Sequence, residues 1–200
     1  MPRVSAVVGA FNRPGRLRTF LACLVDQTFT DWEAVVVDNS DQPEAIAASR
    51  EMCKIDPRIR YEEMGDRAFS PLHGIRSLYD ASEIGIAMTT GEWIWVPNDD
   101  TYACPWFLQR MMETVDATQA EFVFCDFVQG RPDVPHHGFV TTAEACQIDK
   151  TCYIIRRDKF PIPWPGKIEQ YGVADGILVN ELVAKGIKLA KLQQMLIVHN

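Results

Sequence analysis

The chain has 200 residues, of which 47% are hydrophobic and 24% are charged. This length suits one domain with a sizeable core, and the composition excludes a disordered, collagen-like or rod-like chain. Acidic residues outnumber basic residues by 27 to 20, and the resulting net charge of -7 disfavours non-specific binding to nucleic acid or anionic membranes.

Targeting and redox signals are weak. No apolar run approaches the roughly 18 residues of a membrane span, and the N-terminus lacks the apolar region of a signal peptide. The six cysteines form no CxxC pair, which favours reduced, packed thiols over zinc ligands or disulfides. We therefore expect a cytoplasmic protein without a transmembrane segment.

Strands and helices alternate along the first half of the chain. Short apolar runs predict strands, and apolar residues spaced three and four apart predict helices. In chain order the predicted elements are strand 4–8, helix 17–25, strand 34–37, helix 45–53, strand 59–61, helix 75–88 and strand 93–96. Because these strands are mostly apolar throughout, we expect helices on both faces of a parallel sheet.

The second half continues the pattern with more irregular segments. In chain order it predicts helix 107–115 after Pro105, strand 122–125, a loop at 130–138, strand 152–155, an irregular proline-rich segment at 160–166, helix 177–183, and strands 187–190 and 195–198. No linker or repeat interrupts the chain. We therefore expect one α/β domain, with a mostly parallel sheet, over residues 1–200.

Polar groups follow three of the predicted strands, at 10–13, 38–40 and 98–100. In open α/β sheets, ligands bind outside the carboxyl ends of the strands. In Asn98-Asp99-Asp100, the first and third side chains project to one side of an extended chain. Such oxygen ligands suit Mg²⁺ or Mn²⁺ sharing phosphate oxygens with a substrate. The alternative is that these acids cap a helix or face solvent.

Other nucleotide and hydrolase motifs are missing from the sequence. The segment 9–15 contains no Gly-Lys-Ser/Thr, no GxGxxG follows the first strand, and no GxSxG occurs. A phosphate site without a glycine-rich cradle needs a cation to neutralise its charge. This favours Asp100 as a metal ligand.

Three segments carry a resemblance to a known family. They are Val7 to Pro14 (VVGAFNRP), Gln27 to Ser40 with its VVVDNS end, and Gly91 to Asp100 (GEWIWVPNDD), which Pro105 to Met111 follows. In this order they resemble family-2 inverting glycosyltransferases with the GT-A fold, most closely the spore-coat polysaccharide synthesis type. The likeness is good over residues 4 to about 115 and loose beyond. It implies a Rossmann-like sheet, with a nucleotide-binding half at 1–100 and an acceptor-binding half at 101–200.

The resemblance also implies roles for single residues. Ala10, Phe11, Asn12 and Arg13 would line the nucleotide, Asp38 would accept a hydrogen bond from the base, Asn98 and Asp99 would contact the donor with Asp99 on the ribose, and Asp100 would ligate Mn²⁺ or Mg²⁺ on the diphosphate. Asp38 could instead form an Asx turn. Ser82-Glu83 replaces the family's usual Arg-Asn, which leaves Arg67, His73 and Arg76 as candidates for the missing contact. His199 would complete the metal shell, as in some relatives.

The family's carboxylate base matches Asp175, just before the last predicted helix, with Glu169 as the alternative. An inverting transfer needs a base opposite the leaving diphosphate. Asp175 could instead cap that helix. Trp164, between two prolines, could stack on an acceptor sugar or simply pack.

We therefore predict a metal-dependent inverting glycosyltransferase. Its donor would be a nucleoside diphosphate sugar, with UDP favoured, and its acceptor a saccharide or other hydroxyl. A nucleotide-sugar-binding module without turnover is the first alternative. A glycosyltransferase acting on modified nucleic acid is the second, and the acidic net charge disfavours it.

Overall fold

The computed structural model describes residues 1–65, 69–70, 75–76, 78–131, 134–143, 147–165 and 173–199. At 69–70, 75–76, 131 and 134–137 it describes the backbone alone. No helix within these ranges is long and apolar enough to cross a membrane.

The described part of the chain contains eleven strands and five α-helices. In chain order they are β1 Val4–Ala10, α1 Pro14–Val25, β2 Trp32–Asp38, α2 Pro43–Met52, β3 Ile59–Glu63, β4 Phe69–Ser70, β5 Ile75–Arg76, α3 Leu78–Met88, β6 Trp93–Trp95, β7 Thr101–Ala103, α4 Phe107–Thr118, β8 Phe122–Arg131, β9 Val134–Phe139, β10 Tyr153–Arg156, α5 Ala174–Ala184 and β11 Leu189–His199.

Nine strands form one sheet in the order β3-β2-β1-β6-β10-β8-β11-β7, and β9 pairs with β8. From β3 to β6 every pair is parallel. Beyond β6 the sheet is mixed, because β10 is antiparallel to both of its neighbours while β8 and β11 are parallel. The predicted α/β sheet with flanking helices is confirmed.

The sheet places the polar groups that follow β1, β2 and β6 at one edge. Ala10 is in register with Asp38, and Gly9 forms an isolated parallel bridge with Asn98. The strands themselves are buried, with every residue of β1 and β6 below the surface. The carboxyl ends of β1, β2 and β6 therefore bring these three polar groups together at one edge.

Helix α3 approaches β1 and β2 closely because it carries Gly85 at the contact. A Cβ built on Gly85 would overlap Val7 Cγ1, and it would lie 3.0 Å from Val35 Cγ1 and from Val37 Cγ2. A larger side chain would push the helix off the sheet. The absence of a side chain at Gly85 thus sets the distance between this helix layer and the strands that position the edge.

One prediction in the first half is corrected, and one strand was not predicted. The helix predicted over 75–88 begins at Leu78, because Ile75–Arg76 pairs with Phe69–Ser70 as a small antiparallel sheet. The sequence also gave no indication of β7, which follows Asp100 directly.

Two predictions in the second half are also corrected. The segment 130–138 was predicted as a loop, but its described residues 130–131 and 134–138 belong to strands, since β8 continues to Arg131 and β9 covers Val134–Phe139. The two predicted strands at 187–190 and 195–198 form one strand, β11, with register shifts between Leu192 and Ile197. The residues at this irregularity interrupt the apolar pattern, so the sequence predicted two strands where the structure has one.

We expect Gly85→Ala to destabilise the protein by about 1–3 kcal/mol, the usual cost of overpacking a core. The measurement is the free energy of unfolding in urea. Gly15→Ala in α1 is the matched control, because a Cβ there meets nothing within 4 Å. An equal loss of stability in both variants would contradict the close contact at Gly85.

Candidate functional site

The loops after β1 and β2 are tied together at the sheet edge. The Asn39 N–H donates to the Ala10 carbonyl at 2.9 Å, and the Asn12 N–H donates to Ser40 Oγ at 2.8 Å. The Asn12 side chain donates to Asp41 Oδ1 at 2.6 Å. Its backbone is left-handed, with φ of 51°, which asparagine tolerates better than most residues. Asn12 thus joins the two loops through its side chain.

Asp38 ends β2 with a fully buried carboxylate. Its Oδ1 accepts from the Ser40 N–H at 2.9 Å, which is the Asx turn named above as the alternative. Its Oδ2 accepts from Tyr61 Oη at 3.0 Å. Each carboxylate oxygen retains one further lone pair, so the turn and a contact with a ligand are compatible.

The segment 98–100 forms a tight turn between β6 and β7. The Asn98 N–H donates to Thr101 Oγ1 at 3.0 Å, and the Thr101 N–H donates to the Asn98 carbonyl at 3.1 Å. The Phe11 N–H donates to Asp99 Oδ2 at 3.3 Å, which ties the turn to the end of β1. Asp99 and Asp100 are both buried.

Arg13 and Arg16 balance these buried acids. Arg13 reaches Asp99 Oδ1 at 2.6 Å and Asp100 Oδ2 at 2.8 Å, and Arg16 reaches the same Asp100 oxygen at 2.8 Å. Burial raises the pKa of Asp99 to about 6, although the Arg13 charge opposes that rise. The arginines therefore supply the countercharge that lets the two acids share one turn.

Pairing of β7 with β11 brings His199 to this turn, since His199 is in register with Thr101. Its Nδ1 lies 3.2 Å from Asp149 Oδ2, and its Nε2 lies 3.2 Å from Asn98 Nδ2. Burial alone would lower the pKa of His199, but the Asp149 carboxylate raises it above the ordinary value. With Asp149 beside Nδ1, Nε2 is the ring nitrogen that faces Asp100.

The residues at this turn fit a divalent ion. Asp100 Oδ1 is buried, accepts no hydrogen bond from the described residues, and lies 3.7 Å from His199 Nε2. Neighbouring ligands of a six-coordinate ion with bonds of about 2.1 Å lie about 3 Å apart. No three His, Cys, Asp or Glu side chains in the described ranges form a metal cluster. Asp100 and His199 are two candidate side chains, which would leave the other positions around a six-coordinate ion to water and substrate oxygens.

Asp175 lies in the first turn of α5 without capping it. The helix begins after Val173 with no side-chain cap. Asp175 Oδ1 accepts from Tyr79 Oη at 3.0 Å, and its Oδ2 accepts from the Lys150 N–H at 3.2 Å. The alternative of a helix cap is therefore wrong. Burial and then the Asp149 charge raise the pKa of Asp175 to about 6, against the opposing effects of Lys150 and Tyr79.

Lys150 connects Asp175 to the turn at 98–100. Its side chain is buried, and Nζ donates to the Val96 carbonyl at 3.4 Å. Burial lowers the pKa of Lys150, opposed first by the charges of Asp175 and Asp149. Lys150 therefore contacts Asp175 through its backbone N–H, and its side chain contacts the end of the strand that precedes Asn98.

Some predicted site residues lie outside the described part of the chain, and one is packed in the core. The side chain of Arg76 and the residues Arg67, His73 and Glu169 lie outside the described residues. Trp164 is 1% exposed, and its Nε1 donates to the Ala174 carbonyl at 3.2 Å. The alternative of an acceptor-stacking Trp164 is wrong, because the ring is packed inside the protein.

Four residues at the site were not predicted as site residues, namely Arg16, Tyr79, Asp149 and Lys150. Arg16 carried a usable signal, since it lies one helical turn after Arg13 on the strand-end side of α1. The other three reach the site only through tertiary contacts. The five cysteines that the structure describes are free thiols, as expected.

The family can now be identified from its sequence pattern. The pattern of "Glycosyl transferase family 2" matches residues 5–167. The chain belongs to glycosyl transferase family 2. Among curated relatives, the uncharacterized glycosyltransferase EpsJ of Bacillus subtilis (strain 168) is 24% identical over 133 residues, 66% of this chain and 36% of EpsJ. The chain thus spans about a third of this relative.

Solved structures show the same fold. S. aureus TarS residues 1–349 in complex with UDP has a TM-score of 0.70 and 15% identity, over 98% of this chain and 60% of that one. The mannosyltransferase PcManGT from Pyrobaculum calidifontis, in complex with GDP-Man and Mn²⁺, has a TM-score of 0.71 and 15% identity, over 99% of this chain and 56% of that one. The predicted GT-A fold is confirmed.

We expect Tyr79→Phe to raise the pKa of Asp175 above its value of about 6, by about 0.5–1 unit, because the lost hydroxyl donor stabilises the ionised carboxylate. The measurement is a ¹³C NMR titration of the aspartate carboxyls, assigned with Asp175→Asn. Tyr61→Phe is the matched control, since it removes a similar bond to Asp38. An unchanged Asp175 titration in Tyr79→Phe would contradict this contact.

Proposed function

We propose that this domain is a transferase that moves a sugar from a nucleoside diphosphate sugar to an acceptor hydroxyl, with inversion at the anomeric carbon. The observation that carries the proposal is the bridge through Lys150, which contacts both Asp175 and the Val96 carbonyl. It puts a carboxylate of raised pKa next to a turn that suits a metal and a diphosphate. Family membership supports the same reaction.

The donor would lie against the half formed by residues 1–100. The backbone of 10–13 would line the nucleotide, Asp38 would accept a hydrogen bond from the base, and Asp99 would hold the ribose. We propose UDP as the nucleotide, with GDP as the alternative, because the two solved relatives carry UDP and GDP-Man respectively. Arg76 remains a proposed contact of the donor.

Asp100 and His199 would hold Mn²⁺ or Mg²⁺, with Asn98 beside the imidazole. When bound, the ion would stabilise negative charge on the leaving diphosphate. The buried and unpartnered Asp100 Oδ1 supports this assignment. The Asp149 carboxylate supports it too, because it orients the ring from the opposite nitrogen.

Asp175 would take the proton of the acceptor hydroxyl. Residues 101–200 contribute this base and would form most of the acceptor side. A pKa of about 6 keeps the carboxylate mostly ionised near neutral pH and makes it a stronger base than an ordinary aspartate. The group is protonated below this pH and cannot accept a proton. The transfer rate should therefore rise as the pH increases through about 6.

We expect Asp100→Ala to bind Mn²⁺ and donor more weakly while the fold survives. Loss of the ion's ligand removes electrostatic stabilisation of the leaving group, so the transfer rate should fall by at least about 10²-fold. Calorimetric titration of UDP-sugars and GDP-sugars with and without Mn²⁺ is the measurement. Unchanged donor affinity in Mn²⁺, with an intact melting temperature, would contradict the assignment of Asp100.

We expect Asp175→Asn to bind donor and metal like the wild type and to lose about 10²–10⁴-fold in turnover, the usual contribution of a positioned base. The part of the acid limb of the pH–rate profile that Asp175 contributes should disappear with it. Initial rates with a panel of saccharide acceptors, read from pH 5 to 8, give the measurement.

Three outcomes would change the proposed function. A stable, donor-binding and fully active Asp175→Asn protein would exclude this base and direct attention to Glu169. A wild-type protein that binds donor but neither hydrolyses nor transfers the sugar would support a nucleotide-sugar-binding module. Transfer to modified nucleic acid alone would replace the saccharide acceptor.

A further inference from the structure

Two arginines at the start of α1 contact the same carboxylate oxygen. Arg13 and Arg16 each lie 2.8 Å from Asp100 Oδ2, and the other arm of the Arg13 guanidinium lies 2.6 Å from Asp99 Oδ1. The two carboxylates are buried, with 1% and 5% of their side chains exposed, whereas the arginines are 39% and 40% exposed. The guanidinium groups therefore cover the acids from the solvent side.

The position of these arginines is unfavourable unless an anion is present. Arg13 precedes α1 at the N-cap position without capping it, and Arg16 lies in the first turn, which contains no acidic residue. The helix dipole puts partial positive charge at this end, so cations there are repelled and anions attracted. Asp99 and Asp100 compensate for the repulsion in the ligand-free protein.

The same geometry makes the arginines competitors of a metal ion. Asp100 has one oxygen held by both arginines and a second, Oδ1, that faces His199 Nε2 at 3.7 Å. A divalent ion on Oδ1 would share this carboxylate with two positive charges. Repulsion between like charges at such short range weakens metal binding until an anion arrives.

We propose that Arg16, together with Arg13, binds the diphosphate of the donor, and that it exchanges its ion pair with Asp100 for this diphosphate. The inference rests on the proposed function and deepens it. Forked guanidinium groups match the oxygens of phosphate as well as those of carboxylate. Release of Asp100 by the arginines then makes the carboxylate available to the ion, so donor and metal strengthen each other's binding.

The test is Arg16→Gln, which keeps a polar side chain and removes the charge. Mn²⁺ binding without nucleotide, followed by electron paramagnetic resonance, should become at least about threefold tighter because one competing charge is gone. Binding of UDP or GDP in EDTA, followed by calorimetry, should become about tenfold weaker because a charge-assisted hydrogen bond is lost. These opposite changes are the expected result.

Two matched variants sharpen the test. Arg18→Gln removes an exposed arginine from the same helix and should leave both affinities unchanged. Arg16→Lys keeps the charge without the fork, so nucleotide binding should weaken while Mn²⁺ binding does not tighten.

Three results would overturn the proposal. Arg16→Gln could leave nucleotide binding at the wild-type level, it could weaken Mn²⁺ binding, or Arg18→Gln could reproduce its effects. Failure of the proposed function looks different, because the wild-type protein would then bind neither UDP nor GDP in the presence of Mn²⁺. If the wild-type protein binds nucleotide and Arg16→Gln has the same affinities for nucleotide and Mn²⁺, the proposed role of Arg16 is excluded and the proposed function is not.

Discussion

Repulsion among buried and half-buried carboxylates at one edge of the sheet is the constraint around which this site is organised. The acids are Asp99, Asp100, Asp149 and Asp175, and the groups that face them are the cations Arg13, Arg16 and Lys150 and the imidazole of His199. An isolated ionised group in a protein interior costs several kcal/mol. Each acid therefore needs a cation or a hydrogen-bond donor, and the elements that deliver these partners are the ones that close the site.

The chain delivers those partners from distant segments. The parallel strands β1 and β6 place Arg13 beside the turn at 98–100. Strand β7 then pairs with the far end of β11, which carries His199 to the same turn. Lys150 reaches the Val96 carbonyl from the segment just before β10, the strand next to β6. The order of strands in the sheet therefore determines the site, because the loss of any of these pairings would leave a charged group without its partner.

The sequence predicted the parts of the fold that local patterns determine. Runs such as 4–8 and 34–37 are apolar because both faces of those strands are covered, so the pattern is visible without the structure. The loop prediction at 130–138 was wrong because prolines and histidines are typical of loops. In the structure Pro135 lies in β9, which pairs with β8 and stands outside the main strand order. Proline is tolerated in such edge strands, since no partner needs its missing N–H.

The site was predictable where one short segment carries the chemistry, as in Asn98-Asp99-Asp100, and not where folding assembles it. Asp149 and Lys150 are ordinary charged residues in the sequence, and only burial next to the other acids gives them a role. The same charge balance explains Asn98. Its amide nitrogen lies 3.2 Å from His199 Nε2 and donates when that nitrogen is unprotonated. An ionised aspartate there could only accept, and it would add a fifth carboxylate to an edge where four acids already lie together.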